Sequence, residues 1–360
     1  MPLVAHTKLP SFDRLRARGQ EVLSLERALS QDIRELHIGL LNMMPDAALA
    51  VTEQQYMRLI GSCNKIAQFY VHPFSVPGLR RSAESEAYID RHYASFDELR
   101  AAGLDALIIS GANVTNPSIE LEPFWEPLKD VIAWASENVT STLCSCLSTH
   151  ALVKHLHGID RHPLPSKRWG VYSHQVRDRH HPLMQDINTR FDVPHSRWNE
   201  VRSEELEAAG LKTLVQSEVA GVHMAVSRDR FRIVYMQGHP EYGAISLLKE
   251  YKREVMRFLN DEIGSPPPYP ENYFSAASAD IVEVYLRGAL RAKNGGTAIP
   301  PFPEVELEPH LDNTWTDTGK AIFNNWLGLV YQYTNHDRRQ PFLPAVDPED
   351  PLGLGSPAPD

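Results

Sequence analysis

The chain has 360 residues, 42% hydrophobic and 23% charged, the balance of a soluble globular protein with room for one large domain or two ordinary ones. A formal net charge of -10 argues against general nucleic-acid binding, and no apolar run approaches the roughly 20 residues that span a bilayer, so small-molecule partners, no membrane and a cytoplasmic location are expected. Met1 to Asp13 carries no signal-length apolar stretch, and three cysteines, Cys63, Cys144 and Cys146, make an odd set that argues for thiol chemistry over a disulfide framework.

In chain order, Leu36 to Leu41 reads as a short apolar strand, stopped by Pro45-Asp46, which opens a helix from Ala47 to Ile60. Ile66 to Val71 is a second strand; a polar stretch follows; Ala106 to Ser110 is a third, broken at Gly111. A helix resumes near Pro123 with Leu128, Val131, Ile132 and Ala135 at helical spacing. Thr140 to Ser145 is then extended in character, and Leu147 to Leu156 is helical again. Strands separated by helices predict a parallel sheet covered on both faces, here a flavodoxin-like, doubly wound α/β core.

From Gly170 to Gly238 the pattern changes to closely spaced strands (170–176, 191–193, 212–217, 222–226 and 231–236), some expected to pair antiparallel. An amphipathic helix over Ile245 to Asp261 precedes the breaker Ser265 to Pro270. The chain thus divides into an N-terminal extension (1–34), a catalytic domain (35–264), C-terminal elements packed on its outside (265–343, with helices near 279–292 and 318–331) and a Pro/Gly/Asp-dense tail (344–360) expected to be disordered.

Cys146 falls at a strand-to-helix junction, where the turn exposes a nucleophile and the helix's free N–H groups and dipole favour a thiolate. The competing reading is a buried cysteine acting as a small hydrophobe. Gly238-His239-Pro240-Glu241-Tyr242 follows another strand, and in extended backbone His239 and Glu241 point to one side, so the carboxylate can orient the imidazole as a base. Gly111, Cys146 and His239 all fall just past strand ends, where open α/β sheets place their sites. A metal or redox module on Cys144 and Cys146, with His150 or the His180-His181 pair, is a weaker alternative, since one C-x-C lacks a second cysteine pair. No metal is expected.

Leu41 to Pro45, Asn138 to Leu143 with Cys146 following, Gly170 to Tyr172, Pro194 to Arg197 and Gly238 to Tyr242 together resemble the homoserine O-acyltransferase family of methionine biosynthesis (O-succinyltransferases and O-acetyltransferases). The resemblance runs from about residue 35 to 275, with further matches at Asn272 to Phe274 and Phe323 to Leu327. It implies a class I glutamine-amidotransferase-like fold, no bound cofactor, and ping-pong transfer from succinyl-CoA or acetyl-CoA to L-homoserine. It makes Cys146 the nucleophile, His239 the base and Glu241 its partner, and assigns Lys167, Ser196 and Arg253 to substrate binding. A guanidinium at Arg253 suits an amino acid's carboxylate. The expected oxyanion donors are the N–H of Leu147 and one near Ala112 or Asn113.

In that family a glutamate in the loop after the third strand goes with acetyl-CoA and a glycine with succinyl-CoA; the equivalent position here is Thr115. An uncharged threonine does not repel succinate's carboxylate, which favours succinyl. The chain departs from the family at Asn113, at Leu147-Ser148-Thr149-His150 and in an insertion over Ser278 to Pro303, so serine stays open as acceptor, being one methylene shorter. The other enzyme reading, a glutamine amidotransferase-like hydrolase, is disfavoured because no glycine flanks Cys146. A homodimer is the assembly the resemblance implies.

Overall fold

The computed structural model describes residues 3–64 and 66–355. In chain order, β1 (Val4–Ala5), α1 (Pro10–Ala17), β2 (Leu23–Ser24) and α2 (Leu25–Leu29) form the N-terminal extension. Then come β3 (Glu35–Leu41), α3 (Asp46–Gly61), β4 (Gln68–Phe74), α4 (Ala83–His92), α5 (Phe96–Ala102), β5 (Ala106–Ile109), α6 (Trp125–Asn138), β6 (Ser141–Ser145) and α7 (Leu147–His157). After them run β7 (His162–Val176), β8 (Arg190–Glu200), α8 (Ser203–Ala208), β9 (Lys212–Ser217), β10 (Gly221–Val226), β11 (Ile233–Met236), α9 (Ser246–Leu259), α10 (Ala276–Asn294), α11 (Glu304–Leu307) and α12 (Thr316–Tyr333).

Nine strands share one sheet in the order β4-β3-β5-β6-β11-β10-β9-β7-β8. The first five are mutually parallel, and the rest pair antiparallel. The parallel half has the doubly wound flavodoxin order, with its direction change beside β3, so the carboxyl ends of β3, β5, β6 and β11 open onto the crevice such sheets use for ligands. Because buried parallel strands face apolar layers on both sides, β5 and β6 are buried throughout.

One face packs on α1, α3 and α12, through residues such as Leu15, Met57 and Trp326. The other packs on α5, α6, α7 and α8, through Leu99, Leu128, Leu152 and Leu206. A third cluster, built on Trp169, Tyr251 and Val282, covers the antiparallel extension with α9 and α10. α12 is more than an outer element: Ile322, Phe323, Trp326 and Val330 are fully buried, and the Trp326 indole N–H donates to Ser141 Oγ at 2.8 Å, inside the core.

The tail departs from the expected disorder as far as it is described. Val346 and Leu352 pack on the first core cluster, and Asp350 accepts the Leu354 and Gly355 N–H groups at 2.8 Å each, so local apolar burial offsets the chain's Pro/Gly content. Residues 356–360 of that expectation lie outside the described residues, as do Met1, Pro2 and Lys65.

Candidate active site

Cys146 sits between β6 and α7 with φ 55° and ψ -113°, a conformation that costs a side-chain-bearing residue about 1–3 kcal/mol and persists only when its surroundings hold it. They do. The Cys146 N–H donates to Met236 O at 2.7 Å. Ser148 Oγ accepts from the Ser145 N–H and donates to Ile109 O, both at 2.8 Å, while Thr149 Oγ1 donates to Met236 O at 2.8 Å. The Ser148 and Thr149 hydroxyls therefore tie the turn to β5 and β11.

Cys146 is partly exposed, whereas Cys63 and Cys144 are buried and burial pushes both thiols up to about 12. A Cβ on Gly111 would lie 3.5 Å from Cys146 Cβ, so the glycine leaves room beside the Cys146 side chain. Among the described residues, no acceptor takes the N–H of Gly111, Ala112 or Leu147. Those donors border the same space, the first two beyond β5 and the last opening α7.

β11 delivers His239. Its N–H donates to Pro194 O at 2.8 Å and its Nδ1 meets Glu241 Oε1 at 2.7 Å, with both side chains nearly sealed from solvent. Burial opposes a charge on His239, but the carboxylate of Glu241 and the sulfur of Cys146 outweigh it and raise the imidazole well above 6.5. Tyr242 stacks on the ring at 4.3 Å and 17°. Cys146, His239 and Glu241, expected together from sequence, meet at the carboxyl end of the sheet.

Lys167 and Ser196 meet on a residue that sequence reading missed. Glu250 Oε2 takes the Lys167 ammonium at 3.2 Å and the Ser196 hydroxyl at 2.6 Å, and its Oε1 takes the Tyr242 hydroxyl at 2.7 Å. Burial raises Glu250, but these three donors outweigh it and hold the carboxyl below its usual value. Within Lys249-Glu250-Tyr251-Lys252-Arg253 it reads as one more solvated helix charge; the available signal was its place beside Leu247 and Tyr251 on the buried stripe. Arg253 is not drawn into this group: its side chain is 59% exposed and pairs with Glu254 at 3.1 Å.

Thr115 lies in a loop pinned by backbone. Its N–H and that of Asn116 both donate to the buried Glu122 Oε1, at 2.6 and 2.7 Å, and Arg161 Nη2 donates to Asn116 O and Pro117 O. The alternative metal residues have separate partners. Cys144 bonds Val234 O, His150 Nε2 meets Gln237 Oε1 at 3.0 Å, and His181 spans Arg230 O and the Leu183 N–H. Among the described residues no group of three His, Cys, Asp or Glu side chains is placed to hold a metal.

Comparison with known proteins gives the family of the whole chain. A family model described as homoserine O-succinyltransferase matches residues 2–336. Curated proteins named homoserine O-succinyltransferase from Methylobacter tundripaludum and Methylococcus capsulatus are each 58% identical over 354 residues, covering 98% of this chain and 100% of theirs. One from Cardiobacterium hominis is 52% identical, covering 98% and 99%. A solved glutamine amido transferase from Methylobacillus flagellatus aligns at 13% identity and a TM-score of 0.43, covering 82% of this chain and 95% of that one. With nearly full-length identity above one half and a model spanning most of the sequence, the chain belongs to the homoserine O-succinyltransferase family.

Proposed function

We propose that the protein transfers the succinyl group of succinyl-CoA to the hydroxyl of L-homoserine, a step of methionine biosynthesis, through a thioester on Cys146. The observation that carries this reading is the strained Cys146 turn facing the buried His239–Glu241 pair, in a chain of this family. Glu241 accepts a hydrogen bond from the Nδ1–H of His239, which leaves Nε2 as the atom that exchanges a proton with the reacting groups.

The Cys146 thiolate attacks the thioester carbonyl, its sulfur–carbon bond forms, and the oxyanion is held by the N–H groups of Leu147 and of Ala112 or Gly111. The carbon–sulfur bond to CoA then breaks, and the departing thiolate takes the proton from His239 Nε2. In the second half His239 takes the homoserine hydroxyl proton, the oxygen attacks the acyl-cysteine, and the Cys146 thiolate leaves. Glu250, with Ser196, supplies the counter-charge an α-ammonium needs, and Lys167 a cation for the α-carboxylate. Thr115 puts no negative charge near the acyl chain, consistent with a succinyl donor.

Whole-protein mass spectrometry after separate mixing with succinyl-CoA and acetyl-CoA tests this. The expected result is an adduct of roughly 100 Da from succinyl-CoA, absent in Cys146→Ala and discharged by homoserine faster than by serine. No adduct on a folded protein from either donor would sink the proposal. Light scattering reads the proposed homodimer directly. Among the described residues no helix is long and apolar enough to cross a membrane.

A further inference from the structure

The backbone of the base loop rests on imidazoles that this chemistry leaves unused. His174 of β7, His195 of β8 and His223 of β10 are 0%, 0% and 1% exposed, and His174 and His195 stack at 5.1 Å and 14°. Beside them Arg197 is buried, a cation whose hydrogen bonds all go to neutral acceptors: His195 Nδ1 at 3.2 Å, Asn199 O at 2.7 Å and Ala220 O. Its nearest carboxylate, Glu200, is 3.9 Å away.

A guanidinium only donates, so His195 Nδ1 must accept. His195 then carries its single proton on Nε2, which faces His174 Nε2 at 3.2 Å; His174 in turn holds its proton on Nδ1 and gives it to Tyr172 O at 2.8 Å. A second proton on either ring would set two N–H groups head to head. Burial acts in the same sense, lowering His195 well below 6.5 and His174 to about 4. The charges that face this chain are Asp192 at His174, Glu200, the Cys146 sulfur and Arg168 at Arg197, and His239 at His195.

The chain touches the machinery at Gly238. A Cβ there would lie 2.5 Å from Val193 Cγ1, 2.9 Å from His223 Nδ1 and 3.0 Å from His195 Cε1, so the backbone is seated against Val193 and both rings. The Gly238 N–H donates to His223 Nδ1 at 3.3 Å, and the next N–H, that of His239, goes to Pro194, the neighbour of His195.

We propose that Arg197 is a positioning residue for acyl transfer: it orders a one-way neutral chain through His195 and His174 to the Tyr172 carbonyl, and this chain seats Gly238 and His239 against Cys146. The proposal rests on the reading of Cys146 and His239 as the reacting pair. Two measurements test it. One is the rate of succinyl-adduct formation by quenched mass spectrometry in the native protein, Arg197→Met, His195→Leu and His195→Gln, with circular dichroism as the folding control. The other is the imidazole nitrogen spectrum of the native protein labelled with 15N-histidine, which reads tautomers without turnover.

Arg197→Met and His195→Leu are expected to slow the adduct by about 30-fold or more with native circular dichroism, since misplacing a catalytic group is costly. His195→Gln can accept from Arg197 and donate to His174, and is expected to stay within about fivefold of native. The spectrum is expected to place the His195 proton on Nε2 and the His174 proton on Nδ1. A folded Arg197→Met that acylates at the native rate, a His195→Gln as slow as His195→Leu, or a His195 proton on Nδ1 would each overturn the proposal. If Arg197→Met does not fold, the His195 pair and the spectrum decide. A native protein that forms no adduct overturns the thioester reading instead, and the spectrum still judges the chain.

Discussion

Glu241 spends one oxygen on His239 and leaves the other, Oε2, buried and without a partner among the described residues, so its charge is bound up with the imidazole beside it. Glu241→Gln keeps an acceptor for Nδ1 but removes the charge. With the opposing burial left to dominate, the His239 pKa falls, and steady-state turnover is expected to drop about 10²–10⁴-fold, as happens when a base loses its orienting carboxylate. The effect on stability has a definite sign. Because His239 is raised above its unfolded value, the pair's contribution is fully present below about pH 6.5 and lost as pH rises through the raised value. Denaturant melts at pH 6 and pH 9 should therefore show Glu241→Gln more destabilised at pH 6; an equal deficit at both would contradict the raised imidazole. This pair was legible in the sequence because its members are two positions apart. Glu250 was not, because Lys167 and Ser196 are brought to it from β7 and β8 by the fold; Arg197 was not, because its partners His195 and Asn199 are near in sequence but its burial against the Ala220 carbonyl is set only by the folded sheet.

The elements divide in a similar way. β9 was read at its observed bounds, Lys212–Ser217, and α3, α7 and α12 within a few residues, because buried periodicity writes itself into composition. β4 was placed too early: Ile66 is 56% exposed, and the strand runs on through Pro73, which an edge position tolerates since its missing N–H faces no partner strand. α4 was missed because it has no fully buried residue and so no apolar stripe; it starts on the Ser82 cap instead. β7 and β8 are longer than read, since the segment between Pro163 and Arg168 is irregularly paired and lacks alternation. Where β7 meets the C-terminal elements, Gly170 has φ +149°, and a Cβ there would lie 2.2 Å from Glu271 O, between the 2.8 Å bonds that join Val171 and Trp169 to Glu271. Gly170→Ala is expected to destabilise the protein by about 3 kcal/mol in urea melts and to expose the 265–275 segment to proteolysis. A change under about 0.5 kcal/mol would mean the contact is not rigid.

At the scale of the whole molecule, the buried histidines set its response to acid. Burial pushes His150 down to about 3 and His174 and His181 to about 4, so each is neutral in the folded state and protonates on unfolding below about pH 6.5. Each group therefore removes about 1.4 kcal/mol of stability per pH unit as pH falls from 6.5 towards its folded value. Together the three amount to about 4 kcal/mol per unit, enough to unfold a protein of ordinary stability above pH 4. Urea melts between pH 7 and 4.5 are expected to show this slope, and a flat profile would mean that these rings are charged in the folded state.

The bond between Trp326 and Ser141 joins residues 185 positions apart. At about 5–20 residues per second, a ribosome needs roughly 10 to 40 s to supply the indole after it has made the strand that the indole covers. For that interval the face that α12 will cover is only partly shielded, by α1 and α3, and the nucleophile turn waits on β11 for its Met236 contacts. The enzyme's yield in the cell is thus tied to what shields that face during synthesis, and a substitution that slows the docking of α12 would be felt as lost protein before it was felt as lost catalysis.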